Sequence, residues 1–115
     1  MKNLIILAFF MCFINAVSFG QTQIEMNLKA NTNYKKADAK MAITYKKVQI
    51  ETLSDIDKKL LLDAQRKWII YKEAHCKSAA ATYEGGSMKP LVYFNCLTEI
   101  TNERIKQLNI YLGIR

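Results

Sequence analysis

From Gln21 onward the chain holds a single proline, Pro90, and glycines only at 85, 86 and 113, so residues 21–84 contain no helix breaker at all. An interior glycine costs a helix about 1 kcal/mol relative to alanine and a proline about 3 kcal/mol. Their absence leaves long helices as the favoured local structure. Turn signals survive at "ETLS" (51–54) and "EGGS" (84–87), and they divide the chain into three periodic segments with no internal repeat or low-complexity linker. The expected fold is therefore all-α, a small bundle of three main helices.

The first helix is expected over roughly 23–50, with Thr22 as N-cap and Glu25 three residues on, a capping-box spacing. Met26, Ala30, Tyr34, Ala37, Met41, Tyr45 and Val48 recur at three- and four-residue steps and form its apolar stripe. Lys29, Lys35, Lys36, Lys40, Lys46 and Lys47 fall away from that stripe, either as a solvated face or as a surface for anions. The second helix starts at Ser54 as N-cap, carries Asp55 and Asp57 in its first turn, and reaches about residue 83. Leu61, Ala64, Trp68, Tyr71, His75, Ala79 and Thr82 lie in one arc of it, edged by Leu60 and Cys76, which makes His75 a hydrogen-bonded core residue. The third helix follows "GGS", with Ser87 as cap and Pro90 in the first turn, and ends near Leu112 before Gly113. Its central line is Tyr93, Ile100, Arg104, Gln107 and Tyr111, beside Cys96 and Leu97. An arginine on such a stripe calls for a carboxylate, since a buried unpaired charge is very costly. Asp38 is the first candidate and Glu73 and Glu103 are alternatives, unless Arg104 lies along the core and extends its head to water.

Ahead of these segments stand Met1, Lys2 and Asn3 and then the run "LIILAFFMCFINAVSF", a short positive region followed by an apolar one. This is the pattern of an export signal. The run is roughly 16 residues, short of the ~20 that span a bilayer. Small residues Ser18 and Gly20 place cleavage after Gly20, so that residues 1–20 are the signal peptide and 21–115 a single domain without a transmembrane helix. Cys12 lacks the preceding Gly or Ala of a lipid-modified cysteine. The expected location is periplasmic or secreted.

Removing residues 1–20 from the 115 leaves 95, and removing Lys2 from 17 basic residues against 10 acidic ones leaves a charge of +6. Such an excess favours anionic partners, and export rules out nucleic acid as the natural one. Cys76 and Cys96 are the cysteines that survive cleavage, and an even count in an oxidising compartment reads as one disulfide stapling the bundle.

Chemistry is hard to place in this sequence. His75 and Cys76 are neighbours, about 100° apart on a helix, so they cannot form a thiolate and imidazole pair there. One histidine and no spare thiol give no metal set. Glu73, Glu99 and Glu103 are available carboxylates, but nothing pairs them in a cleft, and "EGGS" lacks the lysine and preceding strand of a phosphate-binding loop. No catalytic residue, metal ligand or cofactor is expected, and the chain reads as a binding protein, not an enzyme.

The segments "MN", "YKKADAKM…YK", "AQRKWIIYKEAHC", "YEGGS…P" and "C…TxxR…L" together resemble the LprI-like lysozyme inhibitor family, over about residues 26–112. The family motif carries over as Asp38 and Tyr45, then Gln65, Arg66, Trp68, Tyr71 and Cys76, then Gly85 and Gly86, then Cys96 and Arg104. Most of these are structural positions. Relatives commonly have a cysteine at the position of Lys29 and an arginine at that of Lys72, so an N-terminal disulfide is missing here and a point charge replaces a bidentate donor. The resemblance implies inhibition of c-type lysozyme by occlusion of its cleft, with no cofactor. The loop "YEGGSMK" is the element with reach, so Tyr83, Gly85, Gly86, Ser87 and Lys89 are the expected contacts. The alternative is an envelope-associated module that holds anionic polymer or lipid headgroups through Lys29, Lys35, Lys36, Lys40, Lys46 and Lys47.

Overall fold

The computed structural model describes the backbone of residues 2–51 and 53–114 and the side chains of residues 22–51 and 53–114. Of the signal segment expected at 1–20 only the backbone of residues 2–20 is described, and its side chains lie outside the residues so described. The chain forms three helices, α1 (Lys2–Glu51), α2 (Asp55–Ala80) and α3 (Lys89–Tyr111), and a single 3-10 turn, Ala81–Tyr83, extends α2. The all-α three-helix expectation holds.

Local chemistry explains the boundaries. Ser54 caps α2, its hydroxyl accepting from the Asp57 backbone N–H at 3.3 Å, with Asp55 and Asp57 in the first turn. Gly85 has φ of 77° and Gly113 has φ of 74°, left-handed conformations that turn the chain out of α2 and stop α3. Beyond α3, the Ile114 N–H reaches back to the Asn109 carbonyl at 3.0 Å and closes the helix end. Two expected caps are corrected. Thr22 lies inside α1, because Gly20 is the only breaker before it and one glycine does not stop a helix. The N-cap of α3 is Met88, without a side-chain hydrogen bond, because Pro90 sits one position past the helix start and sets the entry itself.

Contact pairs show how the helices run. Asn27 meets Ser87 and Tyr34 meets Phe94, so α1 and α3 are parallel. Tyr34 meets Lys72, Met41 meets Gln65, and Gln49 meets Lys58, so α2 runs antiparallel to α1. This is an up-down-up bundle, with α3 packed against both other helices. Met41, Val48, Leu61, Ile105 and Leu108 form the apolar core, with Tyr45, Leu53, Trp68 and Leu112 packed on it. That core fills the end of the bundle where α1 hands over to α2. At the other end small buried residues, Ala30, Ala37 and Ala80, let the helices approach around the Cys76–Cys96 disulfide, whose Cα atoms are 5.5 Å apart.

On α1 the expected stripe is buried at Ala30, Ala37, Met41 and Val48 and half-buried at Tyr34 and Tyr45, but its first member, Met26, is exposed because it lies near the tip end, where little of the other helices remains to cover it. On α2 the buried line is Leu61, Gln65, Lys72, Cys76 and Ala80, turned about 70° from the expected arc. Ala64, Tyr71, His75, Ala79 and Thr82 are exposed, and Trp68 is half-buried. His75 is therefore not a core residue; it stacks on Tyr71 at the surface, ring centroids 5.5 Å apart. The cause is that Gln65 and Lys72 go inside despite their polarity, because each finds a partner there. On α3 the buried residues are Leu97, Thr101, Ile105 and Leu108, while Gln107 and Tyr111 are exposed, because α3 must face two helices at once.

The disulfide closes a loop of sequence separation 20, which in the chain-entropy model stabilises the fold by roughly 3 kcal/mol. Cys76→Ser with Cys96→Ser is expected to lose about that much in urea unfolding at unchanged helicity. Leu108→Ala, at a fully buried position, is expected to cost about 2–5 kcal/mol. Loss below about 1 kcal/mol in both variants would contradict this division of stability.

Candidate functional site

A polar layer crosses the middle of the bundle between the apolar core and the disulfide. Lys72 on α2 is 3% exposed. Its Nζ donates to the Tyr34 hydroxyl at 2.8 Å and stands 3.8 Å from the Asp38 carboxylate. Two aromatic faces enclose it, with the Trp68 ring centroid at 4.7 Å and the Tyr34 centroid at 5.2 Å, both within cation–π range. A buried ammonium is tolerable only with such partners. The lysine thus meets its needs without the planar fork that an arginine would bring.

Arg104 on α3 is half-buried beside this layer. Its Nε donates to Gln65 Oε1 at 2.9 Å and its Nη1 to Gln107 Oε1 at 3.1 Å. Gln65 in turn donates to the Met41 sulfur at 2.9 Å. Asp38, the expected carboxylate partner of Arg104, belongs to Lys72 instead, because α2 carries Lys72 between them. Arg104 Nη2 and Thr101 Oγ1 are buried without a partner. Burial lowers the Arg104 pKa from its ordinary value, opposed by nearby Tyr111 and Tyr45. These residues lock the three helices to one another. They account for Asp38, Gln65, Trp68 and Arg104 in the motif, and Tyr45 packs on the core and accepts a hydrogen bond from Gln49 at 2.8 Å. Arg66 and Tyr71 are exposed.

The loop residues come together at one end of the bundle. Residues 81–88 are exposed throughout, and Tyr83 is 43% exposed. The tip is nonetheless ordered by bonds at several points. The Glu84 N–H donates to the Ala81 carbonyl at 3.2 Å and the Gly86 N–H to the Tyr83 carbonyl at 3.0 Å. Asn27 of α1 donates to the Ser87 carbonyl at 3.0 Å, Lys89 pairs with Glu84, and the disulfide ties α2 to α3 about two helical turns away. Lys89 is thus engaged within the tip, a pairing that sequence spacing alone could have suggested. Between α2 and α3 runs a shallow groove of about 350 Å³ walled by Trp68, Tyr71, Ile100 and Arg104, with Glu99 and Glu103 on its rim.

On α1, Lys29, Lys35, Lys36, Lys40, Lys46 and Lys47 are all exposed. Among the described residues no group of three or more His, Cys, Asp or Glu could hold a metal ion, and no helix is long and apolar enough to cross a membrane.

The sequence model of the family described as "Lysozyme inhibitor LprI" matches residues 15–108. The chain belongs to the LprI lysozyme inhibitor family. Among curated proteins it is 34% identical over 99 residues to an uncharacterized protein of Rhizobium meliloti (strain 1021), covering 76% of this chain and 71% of that one. No solved structure matches it significantly. Within the LprI pattern, the polar layer and the disulfide are the structural residues and the tip is the projecting one.

Removing one partner from a buried hydrogen-bonded pair costs about 1–3 kcal/mol, whereas replacing both by apolar groups of like shape is nearly neutral. Gln65→Ala and Arg104→Ala are each expected to destabilise by about that amount, and Gln65→Leu with Arg104→Met by less than either. Asp38→Ala is expected to add independently to Arg104→Ala in urea unfolding, and a strong coupling between them would restore the carboxylate pairing.

Proposed function

We propose that the chain is an exported, non-enzymatic inhibitor of c-type lysozyme that occludes the enzyme's cleft with the tip at residues 83–89. Membership of the LprI family supports the activity. The observation that carries the choice of surface is the tip itself, exposed from Tyr83 to Met88 yet held by the Asn27–Ser87 bond and, farther along α2 and α3, by the disulfide. A loop already ordered loses little entropy when it docks. Two glycines, Gly85 and Gly86, keep it narrow enough for a cleft built to take a polysaccharide strand.

In this reading Tyr83 supplies an aromatic face and Ser87 a small polar contact, while Lys89 exchanges Glu84 for a carboxylate of the cleft. Because Lys89 already has an ion-pair partner, the exchange contributes little net energy, and shape does most of the inhibiting. No bond is made or broken. Long-range electrostatics oppose the encounter, since c-type lysozymes are basic and this chain is too. Salt screens that repulsion, with a Debye length of about 8 Å at physiological ionic strength, so association should quicken as salt rises.

The deciding assay is hydrolysis of a peptidoglycan suspension by c-type lysozyme, with and without an excess of the oxidised protein, at low and physiological salt. Inhibition is expected at both salts, with faster onset at the higher. Gly86→Trp and Tyr83→Ala are expected to weaken it at least about 10-fold, equivalent to about 1.4 kcal/mol, and Lys89→Ala by less. An unaffected lysozyme would sink the activity; full inhibition by all three variants would keep the activity and move the contact elsewhere.

A further inference from the structure

We propose that the face formed by α1 and the end of α3, away from the tip, docks this protein onto an anionic lipid bilayer. Lys36, Lys40 and Lys47 follow one another at four- and seven-residue steps, so they lie on one side of α1 and span roughly 16 Å of it. All three are exposed, and none has an ion-pair partner among the described residues. Lys29 lies on the same side of the helix one turn pair earlier. Between this row and the end of α3 runs a groove of about 540 Å³, lined by Ile43, Leu112 and Ile114 together with the lysines. Within it Ile43 is 70% exposed and Ile114 is 52% exposed.

Large aliphatic side chains left in water beside a row of unpaired cations form an unusual surface, and the charges narrow what can cover it. A second copy of this chain would bring its own lysines against these. A basic partner protein is repelled for the same reason. A soluble polyanion would satisfy the lysines but gain nothing from the isoleucines. An anionic bilayer meets both needs, because ammonium groups stay among the headgroups while the aliphatic residues sink to the boundary of the acyl chains. Each lysine brought close to an anionic leaflet contributes about 1 kcal/mol, roughly a fivefold gain in binding. Lys106, also at this end, is paired with Glu103 and adds little charge. Glu51 is the acidic residue nearest the end of the α1 row in sequence, and it is exposed beyond Lys47. The tip lies at the opposite end of the bundle, so docking would leave it free.

The test is co-sedimentation of the oxidised protein, recovered as an expressing bacterium exports it, with vesicles of phosphatidylcholine alone and of phosphatidylcholine mixed with phosphatidylglycerol. Binding is expected only to the mixed vesicles. Lys36→Glu with Lys40→Glu should lower it at least about 10-fold, and Ile43→Ser with Ile114→Ser should lower it severalfold with no change of charge. Lys35→Glu with Lys46→Glu, an equal charge change on another side of α1, should do far less. All the substituted positions are exposed, and thermal melts confirm that each variant is folded. No binding to phosphatidylglycerol vesicles would overturn the proposal. So would equal losses in the two lysine variants, which would mean that net charge alone is felt, or wild-type binding by the isoleucine variant, which would point to a soluble polyanion such as polyglutamate.

Discussion

The bond between Cys76 and Cys96 is what allows this small bundle to carry an exposed tip. The apolar core lies at the opposite end, around Val48, Leu61 and Leu108, and it cannot hold residues about six helical turns away. Around the disulfide the buried residues are Ala30, Ala37 and Ala80 with one large side chain, Leu97, and so small an apolar set generates little hydrophobic stabilisation. The disulfide substitutes a covalent constraint for the missing core. With α2 and α3 tied there, the short hydrogen bonds of the 81–89 segment become sufficient to order it.

Between the staple and the core, the polar layer sets the rotation of each helix. Lys72 is accommodated because Trp68 and Tyr34 present their faces to it and Asp38 stands close by. Gln65 is accommodated because it has both a donor in Arg104 and a soft acceptor in Met41. Either side chain would be strongly unfavourable inside if the bundle were turned by one residue step, since its partners would be left behind. Buried polar contacts of this kind contribute less to net stability than to the selection of one packing among several of similar apolar area.

Charge is distributed with a similar logic. The tip is close to neutral, Lys89 offsetting Glu84, while the lysines of α1 point outward along the bundle. The proposed contact with a basic enzyme through the tip would gain from this separation, and the proposed bilayer face would use the charge kept away from the tip.

Much of this architecture was legible in the residues. The breaker-free run from 21 to 84, the Ser54 cap, the glycine turn and the Gly113 stop determined three helices, because local backbone preferences act within a turn or two. The cysteine count determined the staple, and from Ala30 to Val48 the α1 stripe determined one buried face, because α1 places small and apolar residues there at helical steps. Tertiary structure alone decided how α2 and α3 turn. A periodicity argument counts Gln65 and Lys72 as solvent-facing and Tyr71 and His75 as core. Which of them goes inside depends on partners in other helices, separated by up to 39 residues in sequence, and no local pattern contains that information.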